Sequence, residues 1–241
     1  MTIDLPALWT LLNHAPLFWL ATTLLAFCFG QAIQRVCRNS PLANPVLIAI
    51  VLMAALLKVT GTAYQTYSSQ VEFVTLLLGP ATVALAVPLA RNLRQVLRSF
   101  HGVGLALLAG SITSTLSGVC IVWLLGGSRA VAFSMAPKAA TTPIAMAVAQ
   151  QAGGVPALTA ALAIAGGIVA AMGGETILRR LGVDDWRAHG LAAGVAGSGV
   201  AAAQIASRNG LAAAFAAVGI GLNGVLTAVI VPVLSLFWPI G

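Results

Sequence analysis

The chain has 241 residues, of which 59% are hydrophobic and 7% charged, with a formal net charge of +7. Soluble domains carry about 25% charged residues, so this composition excludes an ordinary soluble domain and reads as an all-α, polytopic membrane protein forming one domain over residues 1–241. The basic excess does not indicate nucleic acid, because the lysines and arginines are neither interleaved with aromatics nor gathered on a groove-reading helix.

Met1 to Asn13 shows no basic leader region, and no small-residue cleavage site closes the first apolar stretch, which reads as a retained helix. A crossing helix needs about 20 apolar residues. In chain order the candidates are Pro16–Gln34, Pro45–Gly61, Phe73–Ala90, Gly102–Leu125, Pro156–Gly174, Gly190–Ala206 and Leu211–Trp238, the last bent at Pro232. Arg129–Gln151 lies between the fourth and fifth.

The positive-inside tendency then sets a topology. Arg35, Arg38, Arg91, Arg94, Arg98, Arg179, Arg180 and Arg187 make eight charges on one side, against Lys58, Arg129 and Arg208 on the other. With the eight taken as cytoplasmic, Arg129–Gln151 starts and ends outside and is a re-entrant hairpin, broken at Pro137 and Pro143. About seven transmembrane helices plus this hairpin result, with the amino terminus outside and the carboxyl terminus cytoplasmic. A weak internal similarity between residues 43–127 and 154–240 suggests an inverted repeat, with spans interrupted at Gly79-Pro80-Ala81-Thr82 and Gly197-Ser198-Gly199, and such paired interruptions are a transporter signature.

The most informative segment is Ser134 to Val148, which sets Lys138, Thr141 and Thr142 between Pro137 and Pro143 in otherwise hydrocarbon-like sequence. A lysine at membrane depth costs roughly 2.5–3.5 kcal/mol on insertion scales and persists where it faces a cavity or a partner. A kinked helix with a snorkelling lysine is the plainer reading. The alternative is a carboxylate site, in which Lys138 supplies charge, the two threonines supply donors and a helix start supplies free amides.

A second break is expected at Gly79-Pro80, with Thr82 beside it. Gly190, Gly194, Ser198, Ala202 and Ala206 recur every four residues, as in close helix packing, and Ser198 is the stripe's polar member. Asn223 is a lone amide in the last span, suited to an interhelical hydrogen bond or to substrate contact.

Other chemistry is not supported. Cys28, Cys37 and Cys120 form neither a disulfide framework nor a metal pattern, and no cofactor or metal is expected. The histidines His14, His101 and His189, and the carboxylates Glu72 and Glu175, fall near span ends and read as interfacial. Gly219 to Gly224 matches a dinucleotide fingerprint in letters only, since no strand precedes it. No nucleophile or metalloprotease motif is present, so the chain does not read as an enzyme.

The sequences Leu78-Gly79-Pro80-Ala81-Thr82-Val83-Ala84-Leu85-Ala86-Val87-Pro88-Leu89, Ala136-Pro137-Lys138 through Thr141-Thr142-Pro143-Ile144-Ala145-Met146, and Gly153 to Thr159 resemble the LrgB/CidB family. That family includes bacterial membrane proteins first described as antiholin-like regulators of murein hydrolase activity, and the LrgB-like part of the plastid glycolate/glycerate transporter. The resemblance runs from Asn44-Pro45 onward. It implies a multi-pass protein of the bacterial cytoplasmic (inner) membrane, with a small carboxylate substrate or an LrgA-type small membrane protein as partner. A homo-oligomer is also compatible with it. This chain departs from the family where a Ser-His pair precedes Gly-Thr-Ala-Arg: the histidine position holds Ser198, the threonine position Ala202 and the arginine position Gln204. Serine cannot carry a proton at physiological pH as histidine does, so a proton-coupled cycle does not carry over at this position.

Two functions follow as expectations. One is a monocarboxylate transporter with substrate held by Lys138, Thr141, Thr142, Pro137, Pro143, Gly79, Pro80 and Thr82, facing Ser198 and Asn223. The other is a holin/antiholin-like regulator of cell lysis that acts by assembly.

Overall fold

A computed structural model describes residues 15–37, 43–72, 80, 83–84 and 86–238, with backbone only at 86, 88 and 89. The described residues are helical, without strands. They fall into two compact units, Met1–Ala84 and Leu85–Gly241.

In the first unit, α1 (Pro16–Val36), α2 (Pro45–Thr60) and α3 (Tyr64–Gln70) are set by their ends. Pro16 and Pro45 supply the fixed φ suited to a first helical turn, and the Asn44 side chain accepts from the amides of Val46 and Leu47. Gly61 closes α2 at φ 66°, where glycine avoids a Cβ clash. Gly30 lets α1 approach α2 closely, since a Cβ there would lie 2.7 Å from the Pro45 carbonyl oxygen. Trp19 is fully buried against Phe18 and Tyr67.

The second unit contains α4 (Ala86–Arg91), α5 (Leu93–Arg98), α6 (Phe100–Leu124), α7 (Arg129–Met135), α8 (Thr142–Gln151), α9 (Pro156–Arg180), α10 (Trp186–Ala206) and α11 (Gly210–Phe237). Helices α1, α6, α9 and α11 are long and apolar enough to cross a membrane, and α2 is a shorter apolar helix. The protein is therefore a multi-pass membrane protein. Most of the expected crossing Phe73–Ala90 lies outside the described residues.

Contacts fix two ends of this unit. At the basic end, Arg187 donates to Ser99 Oγ at 3.4 Å, and Val96, Val103 and Leu191 pack with Phe215. At the opposite end, Arg129 donates to the Ser235 carbonyl at 3.1 Å, and Trp123 meets Trp238 edge-on at 6.2 Å. Helices α6 and α11 thus run from the basic end outward, and α9 runs back.

Helices α7 and α8 are 7 and 10 residues long, about 10 and 15 Å at 1.5 Å per residue, too short to cross a hydrocarbon layer of about 30 Å. They form the expected broken hairpin at the Arg129 end. Its closure is tight: Ser134 Oγ accepts from the Val155 amide at 2.7 Å, and a Cβ on Gly154 would come within 2.8 Å of the Ser134 amide nitrogen.

The segment expected to cross as Gly190–Ala206 instead reverses. Ser198 holds φ 47° and ψ −136° inside α10. Beyond it the chain returns to its starting end: Arg208 pairs with Glu175, and Trp186 packs against the cluster of Ala202, Ile205, Ala212 and Ala216. This corrects the expected topology in two places. Arg208 joins Arg179 and Arg187 at the basic end, and α11 then carries the chain to the Arg129 end, not the basic end. The physical cause is the left-handed turn at Ser198, which a hydropathy pattern of uniformly small residues does not display.

Such backbone costs a non-glycine residue roughly 1–3 kcal/mol. We expect Ser198→Gly to raise the thermal midpoint of the detergent-solubilised protein by a few degrees and Ser198→Val to lower it, as read by differential scanning fluorimetry.

The small-residue stripe packs α10 on α11. A Cβ on Gly190 would run into the Ala212 carbonyl, and one on Gly194 into that of Ala216. Neither backbone can retreat, and overpacking of this kind costs about 1–3 kcal/mol. Gly190→Ala is expected to destabilise the protein in a melting assay, while Gly104→Ala, with nothing within 4 Å of its Cβ position, is not.

A candidate anion site at the meeting of two broken hairpins

The chain between α7 and α8 forms no regular helix over residues 137–141, and Pro137 there and Pro143 in the first turn of α8 each remove a backbone donor. Thr141 sits at the start of α8 with extended backbone and does not cap the helix with its side chain. The first-turn amides of a helix have no intrahelical partner, so α8 presents donors and the positive end of its dipole at the hairpin tip.

Lys138 projects from this tip onto α6. Its ammonium donates to the Ser114 carbonyl at 2.9 Å and lies 3.5 Å from Ser114 Oγ. Gly118 makes room for it, because a Cβ there would stand 2.9 Å from Nζ. Ser114 is near the middle of α6, so the half-buried amine sits at mid-depth of the unit and not at either end. The snorkelling alternative is not the arrangement found.

Asn223, midway along α11, is 1% exposed and joins three elements. Its Nδ2 donates to the Ala139 carbonyl at 3.0 Å and to the Val195 carbonyl at 3.2 Å, and its Oδ1 accepts from Ser111 Oγ at 2.5 Å. Both amide hydrogens are thereby used. Of the two roles open in the sequence, the interhelical hydrogen bond is the one present. Ala139 belongs to the tip of the first hairpin. Val195 lies three residues before the Ser198 reversal, where the last carbonyls of a helical arm lack intrahelical donors. One side chain thus ties together two hairpins that enter from opposite ends.

The expected site residues divide accordingly. Lys138 and Asn223 contact the same two elements, the hairpin tip and α6, and Ser198 lies at the facing tip. Pro137 is buried, Thr141 and Thr142 are half-buried, and Pro143 is exposed. Pro80 is exposed in the first unit, while Gly79 and Thr82 lie outside the described residues. Sequence reasoning missed the hydroxyl face of α6, although Ser111, Thr113, Ser114, Thr115 and Ser117 place five hydroxyls within seven residues of an apolar span.

An open-sided cavity of about 980 Å³ runs between α6 and α10, from Arg98 and Arg187 at the basic end to Thr113 and Ser114, and Gly102, Ala106 and Thr113 on its α6 side are exposed. At its mouth Arg187 binds Asp185 through side-chain and backbone hydrogen bonds, which hold the carboxyl below the usual aspartate range. A smaller cavity of about 280 Å³ lies between α9 and the two arms of α10 and includes Glu175, His189 and Gln204. Glu175 is paired with Arg179 and Arg208, and His189 is 3% exposed with Nε2 2.7 Å from the Val183 carbonyl. His189 stands in the first turn of α10 at the basic end, as its place near a span end suggests, with its ring buried among protein groups. Among the described residues, no group of His, Cys, Asp and Glu could hold a metal ion.

Residues 23–237 match the model of the LrgB-like family. The chain is 29% identical over 222 residues to "Antiholin-like protein LrgB" of Bacillus cereus (strain B4264), covering 92% of this chain and 96% of that protein. The same values hold for the protein so named in Bacillus anthracis (strain CDC 684 / NRRL 3495). No solved structure matches the chain.

Proposed function

The chain belongs to the LrgB-like family, and from that premise we propose that it carries small monocarboxylates across the membrane by alternating access. The observation that carries this reading is the pair of broken hairpins entering from opposite ends and joined at Asn223, with the Lys138 ammonium beside the junction. Non-helical backbone is tolerated at membrane depth only where it is buried in protein or lines water. Paired broken helices at mid-depth, related by opposite orientation, are how secondary transporters build a site. Here α6 with the α7–α8 hairpin and α9 with the α10 hairpin form such a pair, an inverted repeat in a register different from that suggested by residues 43–127 and 154–240.

In this mechanism Lys138 counters the carboxylate, Thr141, Thr142 and the first-turn amides of α8 orient it, and Ser198 faces it from the other tip. Pro137 and Pro143 keep the backbone open for that purpose. Glycolate-, glycerate-, lactate- and pyruvate-like acids are the substrate class, no cofactor takes part, and the basic end faces the cytoplasm of a bacterial inner membrane.

A second reading is favoured by the names of the relatives, both antiholin-like: a membrane regulator of murein hydrolase activity working with an LrgA-type partner. Uptake of labelled lactate or glycolate into proteoliposomes holding the purified chain alone separates the two. Saturable uptake supports transport. No uptake of any small acid, with stoichiometric binding of an LrgA-type protein, supports the regulator.

A further inference from the structure

The cavity between α6 and α10 has a charge pattern that says what enters it. Its polar groups stand at the two ends: Arg98, Asp185 and Arg187 at the mouth, Thr113 and Ser114 at the inner limit. Asp185 is engaged by Arg187, so the mouth keeps the net positive charge of Arg98. The walls between are hydrocarbon, chiefly Val103, Ala106, Leu191, Ala192 and Val195. Directly behind Ser114 lies the Lys138 ammonium, donating to its carbonyl.

The opposite end is closed by packing. Val119, Phe133, Val148 and Val231 form a buried cluster there, capped by Trp123 against Trp238. The cavity side of α6 also differs from its outward side. Leu105, Leu108, Ile112 and Leu116 are exposed bulky residues on one face, as suits lipid. Gly102, Ala106, Gly110 and Thr113 lie about a quarter turn or more away and line the cavity.

We propose that this cavity is an aqueous vestibule, open at the basic end, through which a monocarboxylate bearing a short hydrocarbon chain reaches Ser114 and Lys138. The proposal rests on the transport reading and narrows its substrate class. An anion is drawn in by Arg98 and ends beside Lys138, while an alkyl chain lies against walls that offer no hydrogen bonds. A polyhydroxylated acid of the same charge leaves its hydroxyls unpaired along those walls. Butyrate and lactate are therefore better ligands than glycerate.

The test uses a chain in which Cys28, Cys37 and Cys120 are replaced by serine and Ala106→Cys is introduced, labelled in sealed vesicles with a charged, membrane-impermeant thiol reagent. Arg180→Cys marks the basic face and Leu125→Cys the other. Ala106→Cys is expected to react from the face that labels Arg180→Cys, at least tenfold faster than from the opposite face. Butyrate is expected to slow that reaction at a concentration at least tenfold below that needed for glycerate. Reaction only with a lipid-soluble reagent, reaction from the Leu125→Cys face, or equal protection by glycerate overturns the proposal. Uptake measured on the same variant keeps the two claims apart. Uptake without sided labelling removes the vestibule alone, whereas sided labelling and protection without uptake support the vestibule as a binding site and remove the transport reading.

Discussion

Lys138→Met is expected to reduce lactate or glycolate uptake roughly 10- to 100-fold while raising the thermal midpoint of the protein. A hydrogen bond to a charged group contributes about 1.5–3 kcal/mol, and each 1.4 kcal/mol is tenfold in affinity. The two signs differ because the ammonium is unfavourable at this depth without substrate, whereas the methionine stem retains the packing over Gly118. A lysine that served only to hold the hairpin on α6 through the Ser114 carbonyl would lose stability and uptake together. Lys138→Arg is expected to rescue little: the guanidinium is a planar fork, and the space at Gly118 fits a compact amine.

Asn223→Leu is expected to cost roughly 2–4 kcal/mol of stability, because it strands the Ser111 hydroxyl and the Ala139 and Val195 carbonyls in a buried place. Individual polar contacts between membrane helices average nearer 0.6 kcal/mol, and the larger figure reflects three partners lost at once. Asn223→Asp gives a sharper test. An ionised carboxylate has no donor for the two carbonyls and repels them, whereas the protonated acid can donate to one. Its stability in a melting series is expected to rise as pH falls through the titration of the new acid, while the wild type shows no such gain. Equal stability of Asn223→Leu and wild type would remove Asn223 as the link between the hairpins.

Much of this architecture was legible because its punctuation is local. Pro16, Pro45, Pro143 and Pro156 open helices within a residue or two of where they were expected, and Asn44 and Asn209 cap the helices that follow. Lys138 announced itself by being costly where it stands. The reversal of α10 was hidden for the opposite reason. Gly190 to Ala206 is apolar and long enough to cross, and hydropathy measures transfer from water without sensing a change of direction. Gly197-Ser198-Gly199 does read as an interruption of that span, and Ser198 is where the helix breaks; the signal for a reversal rather than an interrupted crossing was Arg208, whose charge fits poorly at an outer end. Asn223 was ambiguous because its role depends on carbonyls 84 and 28 residues away in sequence, and no local pattern reports such partners.

The one-sided cavity also has an electrical consequence. Where a water-filled vestibule reaches inward from the basic end as far as Ser114 and the far end is closed by packing, most of the transmembrane voltage falls across the closed part. Moving one elementary charge through the full field is worth about 2.3 kcal/mol per 100 mV. On the transport reading, a monoanion uncompensated by another ion does that work between Ser114 and the closed end, so its current should respond steeply to membrane polarisation.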